Sequence, residues 1–290
     1  MAASHKIAEE VVSVCRQAAA ASLNAAVRQG NVLRITPDDA DDVLLTADLH
    51  GDRRNFQKVV DVASLDSHPR RHLIVQEVCH GGPMYPAGNG CMSHLLLEDV
   101  ARLKAEYPER VHFLMGNHEL AELTDYPISK GGRLLNLLFR AGVNELYGPC
   151  ADSVREAYME FIRALPLAAW LGDSVFACHS IPETVDRKPF DREVFSRDLR
   201  GCDMIDGGEL FRLVWGRDYR PENADAFANL IGAEVLVTGH EPCADGLQVP
   251  NPRQVIIDTC SANPRYLLMP LSSNGPVTQG RVLDHVQRLD

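Results

Sequence analysis

The chain has 290 residues and a formal net charge of −11, and hydrophobic and charged residues make up 45% and 24% of it. This acidic balance argues against a partner that is nucleic acid or an anionic membrane, because both need a basic protein face. The composition excludes disordered and collagen-like chains, and no apolar run approaches the roughly 18–20 residues of a membrane span. The length suits one large domain or two at most.

The eight cysteines are scattered, and no two of them form a C-x-x-C pair, so a zinc ribbon is not expected. Several lie in or beside apolar runs and are predicted to be buried free thiols, which indicates a reducing compartment. Glu9, Glu10 and Arg16 interrupt the apolar pattern near the N-terminus, so we expect no signal-peptide core there. We therefore predict a cytoplasmic location.

The first segment of the chain, over residues 5–28, is rich in alanine and has apolar residues near helical spacing. Gly30 and Asn31 are typical of a helix end. We predict an N-terminal amphipathic helix within residues 1–30 and a single domain over residues 40–290. A packing role on the domain's flank is the simplest interpretation of the helix, and a role in dimerisation is the alternative.

Beyond residue 40, short apolar runs alternate with stretches of helical periodicity. The runs predict strands at 43–47, 73–75, 111–115, 175–178, 235–238, 255–257 and 267–269, and the stretches predict helices at 54–63, 93–107, 132–141, 154–165 and 224–231. This alternation indicates an α/β architecture.

Five of the predicted strands lead directly into side chains that can bind a metal. These side chains are, in chain order, Asp48 and His50, Glu77, Asn117 and His118, His179, and His240. Sites in α/β sheets form outside the carboxyl ends of the strands. A lone histidine beside a strand is usually a satisfied core residue, but five successive strand ends with oxygen or nitrogen donors are hard to assign to chance.

The donor types narrow the choice of metal. Carboxylate, amide and imidazole groups suit Mn, Fe or Zn with open positions for water. There are too many donors for one catalytic zinc with three ligands. The set suits two ions about 3.5–4 Å apart that share a carboxylate, an arrangement used for in-line phosphoryl hydrolysis.

Four ordered motifs between residues 43 and 271 resemble those of the calcineurin-like metallophosphoesterases, with the PPP-type Ser/Thr protein phosphatases as the nearest branch. They are Asp48-Leu49-His50-Gly51, Gly116-Asn117-His118-Glu119, Cys178-His179 and Gly239-His240-Glu241. The resemblance implies a four-layer α/β/β/α sandwich. It also implies that Asp48 and His50 hold one metal ion, and that Asn117, His179 and His240 hold the second.

The second motif of the family, G-D-x-x-D-R-G, is altered in this chain to Gln76-Glu77-Val78-Cys79-His80-Gly81-Gly82. Glu77 is therefore the candidate carboxylate that bridges the two metals; a solvated strand end is the alternative. His80 replaces the aspartate that orients the catalytic histidine, and Gly81 replaces the phosphate-binding arginine.

By the resemblance, His118 is the general acid, and its missing carboxylate partner has to come from elsewhere. Glu119 or the helix that contains Glu98 and Asp99 is the expected source. The candidates for the missing arginine are Arg53, Arg54, Arg133, Arg217 and Arg220. We favour Arg217, which lies beside a Trp215 segment that is similar to one in the family.

The resemblance implies a phosphoester hydrolase with two divalent or trivalent metal ions (Mn, Fe or Zn), in which a metal-bound hydroxide attacks phosphorus in line. The expected substrate is a phosphorylated protein. The alternatives are a small phosphoester, as in a dinucleoside polyphosphate hydrolase, or a non-catalytic phospho-binding protein built on the same fold. No nucleic-acid or membrane partner is expected, and the sequence leaves the oligomeric state open.

Overall fold

The computed structural model describes residues 2–86, 88, 90–271 and 277–290, with the backbone alone for residues 2–4. The helices are α1 (Ala2–Asn24), α2 (Arg53–Ala63), α3 (Ser93–Glu106), α4 (Asn117–Thr124), α5 (Leu135–Tyr147), α6 (Ala151–Arg163), α7 (Glu209–Trp215), α8 (Pro221–Ile231) and α9 (Gln279–Leu283). Short 3-10 helices cover Gly148–Cys150, Arg192–Phe195 and Gly201–Asp203.

The strands are β1 (Arg28–Gln29), β2 (Val32–Ile35), β3 (Asp42–Asp48), β4 (Arg71–Gln76), β5 (Val111–Leu114), β6 (Ser129–Lys130), β7 (Arg133–Leu134), β8 (Ala168–Leu171), β9 (Val175–Cys178), β10 (Val235–Thr238), β11 (Leu247–Asn251), β12 (Gln254–Ile257), β13 (Arg265–Pro270) and β14 (Val286–Arg288). Seven of them form a sheet in the order β1-β2-β8-β9-β10-β12-β11, and five form a sheet in the order β14-β13-β3-β4-β5. Strands β6 and β7 form a separate hairpin.

The two sheets pack face to face, as the alternation along β3 shows. Leu45 and Ala47 lie in one buried cluster with Ala177 of β9 and Val237 of β10, which belong to the other sheet. Leu44, which points the opposite way, lies in the cluster that contains the helical residues. The fold therefore has four layers, with helices outside two stacked sheets.

The parallel strands determine where the site forms. Strands β3, β4 and β5 pair in parallel in one sheet, and β9, β10 and β12 pair in parallel in the other. Parallel neighbours end at the same edge of their sheet, so the residues after β3, β4 and β5 lie together, as do those after β9 and β10.

Helix α1 packs against α3 and α6 through a buried stripe that includes Ala8, Val11, Cys15 and Ala18. The spacing of these residues is that of one helix face, as the sequence indicated. The division of the chain at residues 30–40 stays a prediction. Among the described residues, no helix combines the length and apolar character that a membrane crossing needs.

One predicted helix has the wrong limits. The periodicity predicted a helix at 132–141, but Gly131 and Gly132 have positive φ angles and form the turn of the β6–β7 hairpin. Helix α5 begins after this hairpin and extends to Tyr147. All eight cysteines are free thiols, and five of them, including Cys15 and Cys178, are buried.

Candidate metal centre

The structure brings the six predicted metal ligands and His118 to one end of the sandwich. Asp48 ends β3, Glu77 follows β4, and Asn117 is the first residue of α4, just after β5. His179 and His240 follow β9 and β10 of the seven-stranded sheet. The strand ends of both sheets therefore meet at a single site.

Four donor atoms converge on the buried side of this site. His179 Nε2 lies 2.7 Å from Asn117 Oδ1, 2.8 Å from Glu77 Oε2 and 3.0 Å from His240 Nδ1. His240 Nδ1 is also 2.9 Å from Asn117 Oδ1. We call these four residues the inner cluster.

A second group of donors lies toward the solvent. The ligand atoms of His50, Glu77 and His118 lie within 4.8 Å of one another, as do those of Glu77, His179 and His240. Asp48 lies between the two groups, because its Oδ2 is 3.7 Å from His50 Nε2 and its Oδ1 is 3.8 Å from His179 Nδ1. Glu77 is the residue that the two groups share.

The backbone at the site adopts conformations that L residues seldom take. His50, Glu77, His80 and His240 all have φ angles between +38° and +69°. Each such residue costs on the order of 1–3 kcal/mol unless the surrounding structure compensates. The strained residues lie in the turns that follow the strands, and their backbone conformation directs the side chains toward one point.

The site's electrostatics favour neutral imidazoles at His179, His240 and His118 and oppose ionisation of the Glu77 carboxyl group. Burial, with a contribution from the neighbouring Asp48, raises the pKa of Glu77 well above its ordinary value. Burial lowers the pKa of His179, and burial with the nearby His179 lowers that of His240. Burial and the imidazoles of His50 and His80 lower the pKa of His118 as well.

This donor set fits a metal ion. Two imidazole nitrogens, an amide oxygen and a carboxylate oxygen suit Mn, Fe or Zn. The separations in the inner cluster, 2.7–3.0 Å, are close to the about 2.9–3.3 Å that ligands of one ion keep at bonds of about 2.0–2.1 Å. A bound cation would also offset the cost of burying the Glu77 carboxylate.

His118, the predicted general acid, does not have the carboxylate partner that the sequence suggested. Glu119 Oε1 instead accepts hydrogen bonds from the backbone N–H groups of Val78 and Cys79, at 3.0 and 2.7 Å. Glu98 is bound by Tyr147 and Tyr158, and Asp99 pairs with Arg53. The carboxylates of Glu119, Glu98 and Asp99 therefore form their hydrogen bonds and ion pair with groups other than His118.

The contact of His118 is with His80, which in turn reaches Glu122. His118 Nδ1 lies 2.8 Å from His80 Nδ1, and His80 Nε2 lies 2.9 Å from Glu122 Oε1. Sequence reasoning missed Glu122. Its spacing of four residues from His118, which places both on one face of α4, is the signal that points to it.

A cavity of about 1390 Å³ opens onto the site. Of the five candidate arginines, Arg53, Arg54 and Arg217 line it. Arg217 is ion-paired with Glu241 beside His240 on the cavity wall, and Arg53 is paired with Asp99. Within the described parts of the chain, Arg54 has no carboxylate partner.

The other two candidate arginines lie outside the residues that line the cavity. Arg220 is paired with Asp186 and Asp218, and Arg133 donates to the carbonyl of Gly88. Gly81, which stands where the family has arginine, has a φ angle of +100°, and a Cβ there would lie 2.8 Å from the carbonyl oxygen of His50. The local backbone thus excludes a side chain at this position.

Comparison with known proteins supports the family and the fold. Residues 42–244 match the model of the calcineurin-like phosphoesterase family, and the chain belongs to that family. It is 24% identical over 285 residues to a probable serine/threonine-protein phosphatase of Encephalitozoon cuniculi, a match that covers 90% of this chain. The chain spans only 56% of that relative's length.

Solved structures show the same fold. A protein serine/threonine phosphatase from Saccharomyces cerevisiae superposes with a TM-score of 0.68 at 14% identity, covering 97% of this chain and 89% of that one. A cold-active protein-tyrosine phosphatase of a Shewanella species superposes with a TM-score of 0.55 at 16% identity, covering 92% and 85%.

The predicted α/β sandwich and the calcineurin-like phosphoesterase family are confirmed, and the activity of this chain as a phosphoester hydrolase stays a prediction. The roles of individual residues, the domain limits and the cytoplasmic location stay predictions.

Proposed function

We propose that this chain is a phosphoester hydrolase that uses two metal ions and removes phosphate from serine and threonine residues of proteins. The observation that supports it best is the position of Glu77, whose carboxylate belongs to both groups of donors. In this proposal Asp48 and His50 hold one ion, Asn117, His179 and His240 hold the other, and Glu77 binds both.

When bound, the two ions would generate a nucleophile from water and neutralise the phosphoryl oxygens. The protein's part is to place the substrate and supply a proton. His118 lines the cavity, and its Nε2 lies 3.6 Å from Glu77 Oε1, beside the proposed metal positions. His118 takes part in this step as the imidazolium: as the P–O bond to the leaving group breaks, its Nε2–H bond breaks, the proton passes to the leaving oxygen, and the neutral ring keeps its Nδ1–H.

Water supplies the oxygen that ends on phosphorus, so the products are an alcohol and inorganic phosphate. The cations on the cavity wall are the second contribution of the protein. Arg217 and Arg54 line the cavity, and Arg54 has no carboxylate partner among the described residues. In this proposal the two guanidinium groups bind a phosphoryl group or an acidic stretch of substrate.

The size of the cavity favours a protein substrate over a small phosphoester. Sites for drug-sized molecules typically enclose about 300–1,000 Å³. The cavity here is larger, at about 1390 Å³. A phosphorylated segment of a protein chain fits this volume better than a small phosphomonoester does.

The proposal is tested by metal analysis together with hydrolysis assays in added Mn. We expect close to two ions per chain, hydrolysis of p-nitrophenyl phosphate, and faster turnover of a phosphoserine peptide than of a dinucleoside polyphosphate. The reverse preference would favour the small-molecule hydrolase. Full activity in excess chelator would exclude metal-dependent hydrolysis, and one ion or none without turnover would indicate a phospho-binding protein.

A further inference from the structure

His80 lies in the altered second motif, and the proposed hydrolysis assigns no role to it. Its imidazole is fully buried between His118 and Glu122, and its two ring nitrogens contact those residues at 2.8 and 2.9 Å. The edge of the Phe139 ring system packs against it, with ring centroids 5.8 Å apart. The Ser93 hydroxyl accepts a hydrogen bond from its backbone N–H at 3.2 Å.

We assign the directions of the hydrogen bonds for an ionised Glu122 and a neutral His80. An ionised carboxylate only accepts hydrogen bonds, so in this assignment His80 Nε2 donates to Glu122. A neutral His80 then has a lone pair on Nδ1, which accepts from Nδ1–H of His118. This leaves His118 Nε2 as the atom that takes up or releases a proton on the cavity side.

Glu122 is placed to act on this chain of bonds. Its side chain is fully buried, and a buried carboxylate costs several kcal/mol unless it is paired. Its Oε1 contacts His80, and its Oε2 makes no hydrogen bond within the described residues and lies 3.9 Å from Arg140 Nε. The closest polar contact of the carboxylate is therefore the one with His80.

We propose that His80 and Glu122 are positioning residues that orient His118 and hold its proton on Nδ1, in place of the single aspartate that the family motif would supply. This inference rests on the proposed function, because it assumes that His118 donates a proton to the leaving group. The side chains of both residues are fully buried, and in this proposal both act through His118.

The role predicts a dependence on the leaving group that a merely structural role does not. Loss of general-acid catalysis slows the departure of a basic leaving group far more than that of a weakly basic one. Phenyl phosphate releases a much more basic oxygen than p-nitrophenyl phosphate does. The ratio of the two rates therefore reports on proton donation by His118.

The first variant is Glu122→Gln, whose amide oxygen can still accept from His80 but has no charge. We expect kcat on phenyl phosphate to fall about 10–100-fold and kcat on p-nitrophenyl phosphate to fall less than about threefold. The metal content should equal that of the wild type. The second variant, His80→Asn, tolerates the φ angle of +64° at this position and breaks the path to Glu122.

The matched control is Glu119→Gln on the same helix. Glu119 is also a buried carboxylate, but it holds backbone amides rather than His80. Its loss should affect both substrates to the same extent and leave the rate ratio unchanged.

An unchanged rate ratio in Glu122→Gln, or in His80→Asn if the first variant does not fold, overturns the positioning role. That result leaves the proposed function intact if the wild type binds two ions and hydrolyses both substrates. A wild type without metal or turnover refutes the proposed function first, and the positioning role with it.

Discussion

Glu77 Oε2 lies 2.8 Å from His179 Nε2, and this contact joins the ends of strands that belong to different sheets. Glu77 follows β4 of the five-stranded sheet, and His179 follows β9 of the seven-stranded one. The same carboxylate reaches the group that contains His50. Its removal should therefore disturb both proposed metal positions at once.

We expect Glu77→Ala to bind fewer than two ions per chain and to lose more activity than the about 10–100-fold typical of residues that only support metal ligands. Glu77→Asp is the matched variant, because it keeps the charge and is one methylene shorter. It should retain more metal than Glu77→Ala. Two ions per chain in Glu77→Ala, measured by elemental analysis of folded protein, would exclude Glu77 as the bridge.

Arg217 is expected to contribute to substrate binding. Arg217→Ala removes one cation from the cavity wall, and a hydrogen bond to a charged group contributes about 1.5–3 kcal/mol. We expect KM for a phosphopeptide to rise about 10-fold or more, with a smaller change in kcat. Arg220→Ala is the control, since Arg220 is paired with Asp186 and Asp218 and is not among the residues that line the cavity. Equal KM values in the two variants would argue against the role of Arg217.

A buried polar network that joins α3, α5 and α6 should make a measurable contribution to stability. Glu98 Oε1 accepts hydrogen bonds from the hydroxyl groups of Tyr158 and Tyr147, at 2.5 and 2.7 Å. Tyr158→Phe leaves this buried carboxylate with one donor fewer, and we expect the free energy of unfolding to fall by about 1–3 kcal/mol. Urea denaturation measures this change.

The control for that measurement is Tyr107→Phe. The Tyr107 hydroxyl donates to Asp66 at the surface, at 2.6 Å, so its loss should change the free energy of unfolding by less than about 0.5 kcal/mol. If the two substitutions cost the same, the buried network does not contribute as we expect.

A pair of buried histidines should make folding sensitive to acid. His72 Nδ1 and His112 Nε2 lie 3.1 Å apart on neighbouring strands. Burial lowers the pKa of His72 to about 4, and burial with the nearby Lys104 lowers that of His112 well below its ordinary value. In the unfolded chain both imidazoles take up protons near pH 6.5.

The direction in which stability changes with pH follows from proton uptake. Between pH 6.5 and about 4 the unfolded state binds more protons than the folded state, so stability falls as the pH falls. The expected slope is about 1.4 kcal/mol per pH unit for each imidazole. His112→Gln should reduce the slope by about that amount. An unchanged slope in His112→Gln would contradict the prediction.

The sequence predicted the strands at the site well, because short apolar runs end in polar donors at a turn. The predicted limits of β9 and β10 agree with those of the structure. Strand β8 was missed, because Ala168-Ala169-Trp170-Leu171 is short and lacks a residue pattern typical of strands. Strand β8 pairs with β2, which is distant in the sequence, and with β9, which follows it after a tight turn. These pairings make the segment a strand.

The partner of His118 shows where sequence reasoning ends. The resemblance predicted His118 as the acid and showed His80 as a departure from the family pattern. The four-residue spacing between His118 and Glu122 places both on one face of α4, but spacing alone does not show that they are linked. The link passes through the ring of His80, which packs against Phe139 in the buried interior, and this arrangement depends on tertiary contacts.

The packing between the two sheets sets the distance between the proposed metal ligands that follow strands of one sheet and those that follow strands of the other. Small residues lie where the sheets approach near the site: a Cβ on Gly239 would come within 3.0 Å of the Ala47 side chain and 2.5 Å of Asp48 Oδ1. Enlarging a residue there would push β10 away from β3 and separate His240 from Asp48. In the proposed site, residues that contact no ion would therefore contribute to the affinity for metal, by holding the two sheets at the distance that the ligands need.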